Sequence, residues 1–340
     1  MKASELKKVL ELVRPGLANK EILEQATSFV FRDGKIYSFN DQVAVIAPFD
    51  AGFEGVVSFD LYEFVSKLKP DAEIKIEEKE NELRFVSGRN RAGVLLEPEI
   101  KLPLDEELQE PEEWFTMPEN FPKSIRTCLF SASRSGHVPI LTCVHITPEY
   151  VETCDEYRLT RYKFKDPIPG VVEDQDIKIV ARNIQPLGNY SPEEYGFGEA
   201  WMHFRNKSGL TYCVRMVDGE YPDLDSYLDG GGQEIELPKE LQEALAWAAI
   251  ATDDAIKFEQ RVKVSINKGR MLIRGEKPDG SWAEQDIRIK YTGKAIEFEA
   301  HPLFLQEMTK LAQKVLVGET SIQIDTDEFV HVISLNVDEE

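Results

Sequence analysis

No stretch of this 340-residue chain is apolar over the roughly 18–20 residues that crossing a bilayer takes. Its start, Met1-Lys-Ala-Ser-Glu-Leu, lacks the apolar core of a secretory signal, so a cytoplasmic protein with no membrane partner is expected. Cysteine is scarce. Cys128, Cys143, Cys154 and Cys213 form no C-x-x-C pair and have no histidine at zinc spacing, which argues against a zinc site and predicts reduced thiols packed like small apolar residues. The usual catalytic signatures are missing: there is no G-x-x-x-x-G-K-[ST], H-E-x-x-H or G-x-S-x-G, and Gly230, Gly231 and Gly232 follow no strand-to-helix pattern that would cradle phosphate. The histidines, His137, His145, His203, His301 and His331, are scattered and read as structural. Acidic turns at Thr252–Asp254 and Asp325–Glu328 read as solvated loops rather than ion sites. No catalytic residue, metal or cofactor is therefore expected. Positive charge is also in deficit, 40 Lys and Arg against 62 Asp and Glu, a net charge of −22. That balance speaks at first sight against a nucleic-acid partner, although binding depends on where the positive charge lies and not on its sum.

What is present is a repeat. Leu6, Val9, Leu10 and Val13 fall at helical spacing between Ser4, a candidate N-cap, and the stop Pro15-Gly16. Strands are expected at 27–31, 36–40 and 43–48. A second helix over 60–68 places Leu61, Phe64, Val65 and Leu68 on one side, and strands at 73–77, 82–87 and 92–96 follow. After the acidic linker Pro103–Trp114 the order recurs: a helix over 118–132, strands at 141–146, 150–154, 159–164 and 177–180, a poor helix over 182–187, and strands at 200–205 and 210–217. It recurs again as a helix over 238–251, strands at 262–267, 271–276, 282–291 and 295–299, a helix over 302–315, and strands at 320–325 and 329–337. The spacing of roughly 115–120 residues marks a domain repeat and not a short solenoid unit. Three similar α+β domains result, 1–110, 111–228 and 229–340, each with two helices on antiparallel sheets. Val217–Leu228, with Asp218-Gly219 as a turn and Tyr221-Pro222 as extended backbone, is the connector into the third.

The exposed faces of five of the six helices carry basic residues: Lys7 and Lys8, Lys67, Lys123 with Arg126, Arg182, and Lys310 with Lys314. Taken alone these are ordinary solvated helix faces. If all the helices share one surface, they become sequence-independent phosphate contacts inside an otherwise acidic protein, an arrangement suited to holding duplex DNA and sliding along it.

Four stretches carry a family resemblance: Ser87-Gly-Arg-Asn-Arg; Phe130-Ser-Ala-Ser with Leu141 and Thr142; Thr153-Cys-Asp-Glu-Tyr-Arg-Leu159; and Gly219-Glu-Tyr-Pro-Asp223. Through them the chain resembles the bacterial sliding clamp, the β subunit of replicative DNA polymerase III, in the divergent form often found in phages. The resemblance implies a DNA clamp fold, with the three domains assembling as a ring through a head-to-tail homodimer. It implies a non-catalytic processivity factor that encircles double-stranded DNA, is served by a clamp loader and tethers the replicative polymerase and other motif-bearing proteins. Carried over by position, the partner-peptide pocket would comprise Leu141, Cys154, Glu156, Tyr157, Arg158, Leu159, Pro222 and Tyr227, with Val332 and Ser334 near the C-terminus. Arg158 is expected to meet a carboxylate or carbonyl at its rim. DNA contacts would fall to Lys7, Lys20, Lys67, Lys123, Arg126, Arg134, Lys310 and Lys314, Lys20 standing where the family has a DNA-contacting arginine.

The chain departs from the family at Glu156-Tyr157, where Gly-His is usual, at Asp225-Ser226, where basic residues usually follow the connector, and at its C-terminal seven residues, which lack the usual Met-Pro-x-Arg-Leu end. A clamp-like transcription co-activator, or a module that sequesters clamp partners without encircling DNA, is the alternative.

Overall fold

The computed structural model describes residues 1–172, 175–252 and 260–335, and its contacts divide into two compact units. Asp253, Asp254 and the end of the last expected strand lie outside the described residues. Among those described, no helix is long and apolar enough to cross a membrane.

The first unit comprises 1–122 and 168–218. Its backbone is one eleven-stranded antiparallel sheet in which strands 28–32, 35–39 and 43–48 continue into 211–215, 201–205 and 194–197. The hairpin between Ser28–Arg32 and Lys35–Phe39 closes on Asp33 and Gly34 with φ of 53° and 67°, the paired left-handed conformation that matches strand twist in two-residue turns. Helix Ala3–Val13 buries the expected stripe Leu6, Val9, Leu10 and Val13, and the Lys2 amide donates to the Glu5 carboxylate at 3.1 Å to hold its first turn. Helix Asp60–Ser66 buries Leu61 and Val65. Phe64, expected on that buried side, is instead 44% exposed.

The acidic linker is docked. Leu104 of the one-turn helix Leu104–Glu107 is buried, and Glu107 accepts hydrogen bonds from Trp201 Nε1 at 3.0 Å and Arg215 at 2.7 Å. The Trp201 bond, followed by Arg215, holds the Glu107 carboxyl below its ordinary range.

The second unit comprises 123–167 and 219–340. One of its sheets runs in the order 143–146, 150–154, 158–163, 329–334, 321–325, 314–317, 233–236, and a separate four-stranded sheet runs 282–288, 270–276, 262–267, 296–300. Helices Leu241–Ala249 and Pro302–Leu311 bury Leu241, Ala244, Leu245 and Ala248, and Phe304, Leu305 and Met308, in one core with Val264, Ile266 and Ile273. Gly275 permits this packing, since a Cβ there would strike the Ala248 carbonyl oxygen.

Several expected bounds are corrected. The helix over 118–132 is Phe121–Cys128. The poor helix over 182–187 is one turn, Ala181–Ile184, continuing as a 3₁₀ segment through Tyr190 because Pro186 removes a backbone donor. The helix over 302–315 ends at Leu311, and Lys314 opens strand Lys314–Val317, paired with Gln233–Glu236. Leu141 lies in the 3₁₀ segment Pro139–Thr142, and the strand starts at Cys143.

Two buried histidines make stability depend on pH. Burial, with Arg158 adding to it, lowers the His331 pKa to about 3, and burial lowers that of His203 to about 4. Both are neutral in the folded protein, whereas in the unfolded chain each takes a proton near its ordinary value. Their contribution is complete above about pH 6.5 and is lost as the pH falls, at up to about 1.4 kcal/mol per pH unit for each. Urea midpoints measured from pH 7 to pH 5, above most carboxylate titration, should decline steadily. The decline should be shallower in His331→Asn, and an unchanged slope in that variant would contradict the assignment.

Candidate partner-peptide site

The site is built from the period-two alternation of strands in the second unit. Cys154 pairs with Leu159, and Leu159 with Val332, so three apolar side chains form a row across three strands on one face. One residue along, Thr153, Thr160 and His331 form the next row and point to the opposite side. There Thr160 lies 2.8 Å from His331 Nδ1 and shares a buried contact with Ser131. Alternation alone thus assigns 154, 159 and 332 to the open face.

The connector crosses that face and is tied down along its length. Tyr221 stacks on His145 at 4.7 Å, its hydroxyl accepts the Cys154 amide at 2.9 Å, and burial pushes its ionisation well above the ordinary range. Leu224 is buried with Cys154, Leu159, Val330 and Val332. Gln323 Nε2 donates to the Leu228 carbonyl at 2.9 Å. Asp225, the acidic residue standing where the family carries basic ones, accepts from Arg161 at 2.6 Å. Arg161 in turn donates through Nε to Glu152 at 2.7 Å, and Glu152 lies 2.7 Å from His145 Nδ1. The acidic substitution therefore completes a charged network that fastens the connector.

Between connector and sheet lies a cleft of about 530 Å³. All ten residues expected at the pocket line it: Leu141, Cys154, Glu156, Tyr157, Arg158, Leu159, Pro222, Tyr227, Val332 and Ser334. They come from four separate stretches of chain. Tyr227 is 63% exposed and offers an aromatic face at the mouth, whereas Leu159 and Val332 are buried at the base. Burial raises the Cys154 thiol to about 11, so it lines the cleft as a neutral group. Sequence reasoning missed eight residues that also line it: Asp155, Asp223, Leu224, Ser226, Asp229, Gly230, Thr320 and Ser321. Leu224 was legible as the single aliphatic residue within the polar run Pro222–Ser226.

The role expected of Arg158 is corrected. Its guanidinium is buried and donates to Asp155 at 2.9 Å and to Glu307, and it lies 4.1 Å from the centre of the Phe304 ring. It is a fixed element of the wall and not a free cation at the rim. Burial raises the Asp155 carboxyl pKa, the charge of Arg158 opposing the shift.

The residues expected to contact DNA are exposed or half-buried, and the structure separates them by their partners. Lys123 pairs with Glu328 at 2.6 Å, Arg134 with Glu307 at 3.6 Å, Lys314 with Glu234 at 2.9 Å and Lys7 with Glu11 at 3.7 Å. Lys20, Lys67, Arg126 and Lys310 are exposed. The described residues contain no cluster of His, Cys, Asp and Glu able to hold a metal ion.

No family model matches the chain. A β sliding clamp of Pseudomonas aeruginosa is 25% identical over 161 residues, 45% of this chain and 42% of that one, and one from Pseudomonas putida is 25% identical over 109 residues, 31% and 29%. The matched segments thus span less than half the length of these curated relatives. Solved structures match further. The DNA polymerase III β subunit of P. aeruginosa superposes with a TM-score of 0.83 at 18% identity, the sliding clamp of Bartonella birtlesii with 0.84 at 16%, and the β subunit from Streptococcus pyogenes with 0.82 at 18%. Each alignment covers 99% of this chain and 98% of the other. Along nearly its whole length the chain has the fold of the bacterial β sliding clamps, and over less than half of it the sequence is similar to theirs.

Proposed function

We propose that the protein is a DNA sliding clamp: three domains, 1–110, 111–228 and 229–340, that pair head to tail with a second copy, encircle duplex DNA without reading its sequence, and tether a replicative polymerase. The observation that carries this reading is the cleft. Residues from four distant stretches converge on one apolar site beside the connector, within a fold whose solved neighbours are polymerase III β subunits. Apolar walls with a fixed polar margin suit a short linear motif from a polymerase or a clamp loader. The chemistry belongs to those partners, and the clamp itself acts by tethering alone.

Lys20, Lys67, Arg126 and Lys310 are the proposed phosphate contacts. Lys7, Lys123 and Lys314 join them by exchanging weak, exposed ion pairs for phosphate, and the exposed Arg134 by leaving its 3.6 Å contact with Glu307, which Arg158 also holds. Head-to-tail pairing would cover apolar surface that is otherwise costly: Trp247 and Ile250, 52% and 65% exposed, and Phe64 and Leu95, 44% and 59% exposed. Sedimentation equilibrium at micromolar concentration should give the mass of two chains. The mass of one chain would contradict the ring and favour a module that sequesters partners.

A further inference from the structure

We infer that the cleft selects partner segments whose apolar anchor is flanked by lysine or arginine, and discriminates against acidic flanks. The inference rests on the cleft being a peptide site and adds the chemical class of the peptide. Its base is apolar, through Leu141, Leu159 and Val332, and its margin is acidic. Asp155, Glu156, Asp223 and Asp229 line it, against Arg158 as the sole cation. That cation is committed: Arg158 is buried, donates through Nε to Asp155 and through Nη1 to Glu307, and lies 4.1 Å from the centre of the Phe304 ring, so two carboxylates offset its charge before any ligand arrives. Of the cations beyond the lining, Arg134 faces the same Glu307 and Arg261 lies over the Tyr157 ring, 5.6 Å from its centre.

The rim carboxylates are differently placed. Glu156, Asp223 and Asp229 are exposed, and no cation lies within ion-pair distance of them among the described residues. Lys163 and Lys165 line a separate cleft with Glu149 and Phe164. An anionic flank entering the apolar site would meet like charge on both sides, whereas a cationic flank would find unpaired carboxylates at the point where its anchor is buried. Like-charge juxtaposition is a common source of partner discrimination.

The test uses the full chain and three fluorescein-labelled nonapeptides that share a central Leu-Phe-Leu and carry Lys, Gln or Glu on both flanks, read by anisotropy. The Lys-flanked peptide should bind about five- to tenfold tighter than the Glu-flanked one at low salt, the size expected of two exposed charge pairs, and the gap should narrow at high salt. Combining Glu156→Lys with Asp223→Lys should erase or invert the preference. Glu78→Lys, on an exposed strand of the first unit, adds one of the same charges elsewhere and should leave it unchanged. Equal affinity for the Lys and Glu peptides, or a preference that survives the double reversal, overturns the charge selection while leaving the cleft as a peptide site. Failure of all three peptides to bind overturns the peptide site and the inference with it.

Discussion

Alanine in place of Glu152 is expected to destabilise the second unit by about 3–5 kcal/mol, the usual cost of removing one member of a buried ion pair. Glu152 is 1% exposed and Arg161 is 7% exposed. Glu152 holds Arg161 Nε at 2.7 Å and lies 2.7 Å from His145 Nδ1. Without it, Arg161 keeps only the bond to the solvent-facing Asp225 and its place 4.0 Å from the centre of the Tyr150 ring, which does not repay burying a guanidinium. Because Asp225 and Tyr221 are fixed through this network, the connector should loosen as well. Thermal unfolding should shift downwards on the order of 10 °C. Replacing both partners, Glu152→Leu with Arg161→Met, should recover much of the loss, since an apolar pair of similar volume leaves no uncompensated charge. A single-variant cost below about 1 kcal/mol would show that water reaches the pair and that the network does not hold the connector.

Tyr227→Ala is expected to weaken binding of an apolar-anchored peptide by about ten- to a hundredfold while leaving the unfolding transition nearly in place. Aromatic anchors at a desolvated cleft commonly carry this much of a binding energy. Tyr227 suits the test because it is 63% exposed, so truncating it removes contact area for a ligand without opening the core. Leu159→Ala is a poorer probe. Leu159 is packed among Cys154, Leu224, Val330 and Val332, and its truncation would cost stability of about 2–5 kcal/mol along with affinity. Isothermal titration of Tyr227→Ala against wild type, beside a denaturation curve for each, separates the two effects. Unchanged affinity would remove Tyr227 from the site.

Local pattern made much of this fold legible. Strands 82–87, 150–154 and 262–267 have the ends that their alternation predicts, and helix Ala3–Val13 buries the four residues that its spacing selects. The errors come where tertiary context outweighs the local signal. The helical period of Pro302–Leu311 runs on into Val315, but pairing with Gln233–Glu236 draws Lys314 and Val315 into a strand. Phe64 has the spacing of a core residue and is exposed.

At the site, resemblance gathered ten residues that no local signal links, and the strand register explains why 154, 159 and 332 share a face. Charge was the least legible part. Asp225 reads as a lost basic contact until Arg161, 64 residues away, is found beside it. Arg158 reads as a rim cation until Glu307, 149 residues away, is found against it. Pairings at such separations leave no local trace in a single sequence.

The central claim, that two copies close around duplex DNA, is tested most directly by retention on circular against linear DNA with a clamp loader present. A closed ring should stay on a nicked circle through gel filtration and be released when the circle is cut, since a sliding protein leaves by the ends. Equal retention on both forms, lost only as salt is raised, would mean ordinary electrostatic binding and would contradict encirclement.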